Sequence, residues 1–124
     1  GKGFYDYPEP AYQSPDFARH ADPEMHDHLL TAVILRATLL AAEGIAAPSD
    51  IDRAWLAATS LPIGPLGLVD ELGADRFLEM CAERAAIGLI ADDDLQMSRA
   101  YLGSRNAEFY TYPDPEFARP DFIK

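Results

Sequence analysis

Proline placement constrains this chain before any other signal. Six of its ten prolines, Pro8, Pro10, Pro15, Pro113, Pro115 and Pro120, stand in two end strips. The strips are near copies. "GFYDYPEPAYQSPDF" (3–17) and "EFYTYPDPEFARPDF" (108–122) align at a constant offset of 105 residues. Proline at this density removes amide donors and forbids helix, so both strips are expected to be extended or polyproline-like. They are not solvating linkers, because they carry Phe4, Tyr5 and Tyr7 at one end and Phe109, Tyr110 and Tyr112 at the other. Rigid strips with regular aromatics are expected to lie against a globular surface and bury rings there.

Between the strips the pattern is helical. Asp22-Pro23 offers a cap followed by proline at the first helical position. Leu29, Leu30, Val33, Ile34, Ala37, Leu40 and Ala41 then follow a 3-4-3 spacing, and Gly44 ends this longest helix. Ser49, three residues before Asp52, reads as a weak capping box for a second helix with Ile51, Ala54, Trp55 and Ala58 on its apolar stripe. A short third helix starts after Pro65 and closes at Gly73. A fourth runs from Asp75 to about Ile87 with Phe77, Leu78, Cys81 and Ala85 inward. A fifth runs from Asp92 to Leu102, stopped by Gly103. No period-2 alternation is long enough for a sheet. The expected class is all-α, a compact domain of about five helices with proline-aromatic arms at both ends.

Composition excludes some functions. The net charge of −11 disfavours nucleic acid, which needs clustered Lys and Arg, and an anionic membrane surface for the same reason. The apolar stretch from Leu29 to Ala42 is interrupted by Arg36 and is too short to span a bilayer. Cys81 is the single cysteine, which fits a reducing cytoplasm, and its place on an apolar stripe reads as a small buried hydrophobe.

No constellation of side chains announces catalysis. "GKG" at the start has no strand before it and "IGPLG" is interrupted by proline, so neither makes a phosphate loop. His26 and His28 would lie about 200° apart around a helix and cannot both face one metal ion, so His20, His26 and His28 read as exposed or capping groups. "DDD" (92–94) sits where a helix begins, and capping is the better reading than a cation site. Glu43, Asp70, Glu71 and Glu79 offer carboxylates, but spacing singles out no pair of them.

Three stretches together resemble a known family. "GKGFYDYP" (1–8) resembles the closing motif of the C-terminal domain of 3-hydroxyacyl-CoA dehydrogenases. "AAEGIAAPSDIDRAW" (41–55) resembles that domain's helix-turn-helix passage, with Gly44, Asp50 and Asp52 as its turn residues. "LPIGPLGLVDELGADRFLEM" (61–80) resembles its Pro-x-Gly-Pro turn, with Gly64, Pro65, Asp70 and Gly73. The resemblance implies the helical fold of 6-phosphogluconate dehydrogenase C-terminal-like domains. It also implies tandem copies, each ending in the aromatic strip. Residues 1–21 would then be the tail of a preceding repeat and residues 22–124 a second copy of the domain, excised from a longer enzyme.

The implied parent is an NAD-dependent, cytoplasmic 3-hydroxyacyl-CoA dehydrogenase of fatty acid β-oxidation or 3-hydroxybutyryl-CoA metabolism. Its NAD-binding turn and catalytic His-Glu dyad belong to a domain outside this chain, so no cofactor, catalytic group or metal is expected within it. The family's one catalytic Asn in this domain belongs to an Asn-Arg pair. Counting back from Gly44 places that pair at Asp27 and His28, both substituted, and the family's acidic position on the same helix becomes Arg36. The implied role is dimerisation and covering of the acyl-CoA site, with a preceding copy or a homodimer partner as neighbour and acyl-CoA bound only in the parent. The alternatives are a module that lends acyl-chain contacts to the parent's site and a generic helical interaction module without enzymatic role.

Overall fold

The computed structural model describes residues 22–110. Five helices fill this span: α1 (Pro23–Ala42), α2 (Pro48–Thr59), α3 (Pro65–Leu72), α4 (Ala74–Ala86) and α5 (Asp92–Gly103). Among the described residues there is no strand, and the expected all-α class is observed. No described helix is long and apolar enough to cross a membrane. The arm residues Phe4, Tyr5, Tyr7 and Tyr112 lie outside the described residues.

Punctuation residues set the helix boundaries. Pro23, Pro48 and Pro65 each occupy a first helical position, where a missing amide costs no intrahelical bond. Asp22 caps α1, its Oδ1 accepting from the Glu24 amide at 3.0 Å. Gly44 (φ +69°) turns the chain out of α1 while the Ile45 amide reaches back to the Leu40 carbonyl. Gly88 (φ +79°) repeats that geometry after α4, with Leu89 bonded to Arg84. Positive φ at both places favours a residue without Cβ.

The helix starts bring corrections. Ser49 does not cap α2. That helix begins at Pro48 after Ala47, which makes no side-chain cap bond, and Asp52 is turned inward instead. Asp92, Asp93 and Asp94 fill the first turn of α5 after an uncapped Ala91, so they face the helix dipole without capping. Gly103 is the last residue of α5, and Ser104 follows it, its hydroxyl donating to the Tyr101 carbonyl.

The core forms where α1 meets α5 and α3, with α4 packed on α5. Ile34, Leu66, Phe77 and Cys81 are fully buried there. Burying side chains the size of Ile34 or Phe77 contributes about 2–3 kcal/mol each. The stripe expected on α1 is only partly correct. Leu29 is exposed and Val33 and Leu40 are half-buried, whereas Thr31, Leu35, Thr38 and Leu39 are buried. The two threonines enter the core because each hydroxyl donates one turn back, Thr31 to the Asp27 carbonyl and Thr38 to the Ile34 carbonyl. On α2 the expected stripe is only partly inward, with Ile51 half-buried against the core and Trp55 half-buried. Asp52 and Leu56 are buried, while Ala54 and Ala58 are exposed.

Candidate functional site

Asp52 is the most unusual residue of the fold, a carboxylate with no exposed surface. Such a group needs hydrogen-bond donors, and three surround it. The Leu66 amide donates to Oδ1 and the Gly67 amide to Oδ2, each at 2.9 Å. The Tyr110 hydroxyl donates to Oδ2, also at 2.9 Å. Both amides belong to the first turn of α3, which starts at Pro65 behind Gly64. Gly64 has no side chain to cap the helix, so Asp52 supplies the cap from α2. The two positions are matched: a Cβ on Gly64 would collide with the Asp52 side chain. Burial pushes the Asp52 carboxyl above its ordinary value; the three donors oppose that rise, and the nearby Asp70 charge adds to it.

Asp70 does a related job at the other end of α3. Its Oδ1 accepts from the Phe109 amide at 2.8 Å and its Oδ2 from the Tyr110 amide at 3.0 Å. The strip is therefore held by two consecutive amides on one carboxylate, a charge-assisted pair. The Phe109 ring lies under the Arg105 guanidinium, 4.0 Å from its centroid, with Tyr101 on its flank. The Tyr110 ring reaches α2, where its hydroxyl also lies 3.3 Å from the Pro48 carbonyl. Asp52 and Asp70 together form an acidic clamp on the strip. The expectation that these aromatics lie on the globular surface holds for Phe109 and Tyr110.

Asp27 and His28 sit elsewhere, near the start of α1. They line an open depression of about 660 Å³ with Met25, Glu83, Arg84, Ile87 and Leu89. Asp27 is exposed and approaches His26, with Oδ1 3.3 Å from Nδ1. His28 is half-buried, and its Nδ1 has no hydrogen-bond partner. Asp22 and Glu24 lie on the same wall. Three apolar side chains of its lining, Met25, Ile87 and Leu89, are more than half exposed. A carboxylate at position 27 accepts hydrogen bonds and donates none, and it repels a developing oxyanion.

A third feature is an apolar trough of about 590 Å³ between α1 and α2, walled by Val33, Ala37 and Leu40 on one side and Ile51 and Trp55 on the other. Asp50 stands on its rim, exposed, 3.8 Å from Arg53. The structure thus brings Asp52, Gly64, Pro65, Asp70 and Tyr110 together and leaves Asp27, His28, Gly44 and Asp50 apart from them. Among the carboxylates left unsorted by spacing, Asp70 belongs to the clamp, whereas Glu43, Glu71 and Glu79 are exposed. The partnership of Asp52 with Tyr110 escaped the sequence reading. Its only sequence signal is a helix start at Gly64-Pro65 with no capping side chain of its own. Among the described residues no group of three His, Cys, Asp or Glu side chains is placed to hold a metal ion.

A family model, described as "3-hydroxyacyl-CoA dehydrogenase, C-terminal domain", matches residues 25–102, more than half of the chain. No curated protein and no solved structure gives a significant match.

Proposed function

The chain belongs to the 3-hydroxyacyl-CoA dehydrogenase C-terminal domain family, and from that premise we propose that it is the helical dimerisation and substrate-covering unit of such an enzyme, without catalysis of its own. The parent would use NAD and a 3-hydroxyacyl-CoA, both bound through a nucleotide domain outside residues 22–110. The carrying observation is the depression around Asp27 and His28. Where the family resemblance implies an Asn-Arg pair, this chain has a carboxylate and a half-buried imidazole, with Asp22, Glu24 and Glu83 on the same wall. Arg84 lines the depression too, but the four carboxylates of Asp22, Glu24, Asp27 and Glu83 outnumber it, and a net negative charge disfavours both the phosphates of coenzyme A and an enolate oxygen. Its rim is suited to packing. Met25, Ile87 and Leu89 present apolar surface around the depression, and surface of that kind marks an interaction face. A preceding copy of the domain or a homodimer partner is the neighbour this reading assigns to it.

Two measurements on the full chain test the reading. With NAD and a 3-hydroxyacyl-CoA, NADH absorbance is expected to stay at the level of the enzyme-free blank; sustained NADH formation would overturn the non-catalytic role. By light scattering the chain is expected to be a dimer that the double substitution Ile87→Glu, Leu89→Glu converts to monomer. A monomer before substitution would overturn the dimerisation role.

A further inference from the structure

The α1/α2 trough has no cover among the described residues, although it is where the sequence places its clearest apolar stripes. Val33, Ala37 and Leu40 of α1 face Ile51 and Trp55 of α2 across it, and its lining is almost wholly apolar. Stripes with helical spacing on two facing helices are the pattern of a buried contact. Two charged groups line it: Asp50, which stands 3.8 Å from Arg53, and Arg36. Arg36 is exposed there and makes no hydrogen bond or ion pair with any described residue.

The chain itself arrives at this trough. Asp70 fixes the Phe109 and Tyr110 amides, and the Tyr110 hydroxyl touches the carbonyl of Pro48, the first residue of α2. Asp50 and Ile51, on the trough rim, are within one turn of Pro48. Tyr110 thus ends the described chain beside the first turn of α2, whose Asp50 and Ile51 line the trough. The residues that follow, 111–124, read "TYPDPEFARPDFIK". They carry Tyr112, Phe117 and Phe122 for an apolar trough, and Asp114 and Glu116 for a guanidinium. At about 3.1 Å per residue an extended proline-rich segment of this length reaches about 40 Å. The 12-residue α2 is about 18 Å long, so the segment has length to spare.

We propose that residues 111–124 are the occupant of the α1/α2 trough, with their aromatic rings against Trp55 and Ile51 and their acidic residues at Arg36. The leading strip has the same aromatics but a less direct route. It joins the body at Asp22, and Val33 lies about 15 Å further along α1. The docked ribbon leaves the Met25, Ile87 and Leu89 face uncovered, so the inference stands independently of the functional reading above.

Trp55 is the only tryptophan of the chain and lines the trough, so its fluorescence reports the occupant directly. In the full chain its emission is expected to be blue-shifted and resistant to acrylamide. The double substitution Tyr112→Ser, Phe117→Ser is expected to shift the emission to the red and to raise the quenching constant toward that of free tryptophan, with the helical circular dichroism unchanged. Arg36→Glu is expected to move both readings part of the way. The matching pair in the leading strip, Tyr7→Ser and Tyr12→Ser, is expected to leave them where they were. Three outcomes would overturn the proposal. Trp55 could be as quenchable in the full chain as in the trailing-strip variant. The leading-strip pair could be the one that moves it. Or its shielding could be lost on dilution, which would make a second copy the occupant.

Discussion

At the scale of single residues, Cys81 shows how burial sets chemistry. Its side chain is fully enclosed on α4, and burial pushes the thiol from 9.0 up to about 11, against the pull of the Arg84 charge. The neutral thiol is the form the fold favours, so at neutral pH Cys81 acts as a small apolar side chain and not as a nucleophile. A disulfide reagent such as dithionitrobenzoate is expected to leave it untouched in native protein and to titrate one thiol at once in denaturant; rapid native labelling would contradict its enclosure. The stability it contributes is fully present below pH 9.0 and is lost as the pH rises through about 11, because ionisation then costs the folded state more than the unfolded. The stability difference between the chain and Cys81→Ala should be flat up to pH 9 and shrink above it. This residue was legible in the sequence because one property decided it, its place on an apolar stripe. Thr31 and Thr38 were not. Their hydroxyls are satisfied within their own helix, so they pack as apolar groups although they read as polar.

At the scale of elements, boundaries were readable and faces were not. Proline at a helix start and glycine with positive φ at its end are local requirements of backbone geometry, and Pro23, Pro65, Gly44 and Gly73 marked their places correctly, whereas the start of α2 at Pro48 was read instead as a Ser49 cap. The inward face of a helix is decided by its neighbours. The stripe of α2 pointed to Ile51 and Trp55, but the packing of α3 on α2 turned Asp52 and Leu56 inward. The cap of α3 shows the same dependence, since its donors and acceptor are 14 and 15 residues apart. Gly64→Ala is expected to cost about 3 kcal/mol in denaturant melts, as overpacking against a fixed side chain does. In an Asp52→Gly background the colliding atoms are gone, so the same change should cost clearly less. Equal penalties in both backgrounds would show that the collision with Asp52 is not what keeps a glycine at position 64.

At the scale of the whole molecule, the family was legible in two stretches, 41–55 and 61–80, that lie within the matched residues 25–102, whereas the third, 1–8, lies outside them. The clamp was not legible, because it joins residues 39 to 62 positions apart, and no spacing rule spans such a distance. That same separation has a kinetic meaning. The phenol of Tyr110 closes a long loop onto Asp52 and Pro48, and loop-closure entropy makes such a contact a late event in folding, after local helices have formed. Tyr110→Phe removes the hydroxyl and keeps the ring, at a cost of about 1.5 kcal/mol for a bond to a carboxylate. Stopped-flow traces are expected to show nearly unchanged refolding and unfolding faster by about tenfold. A slowed refolding limb would instead place Tyr110 in the nucleus. One hydroxyl at the end of the described chain would thus act as a latch, governing how long the molecule stays shut and leaving untouched how quickly it closes.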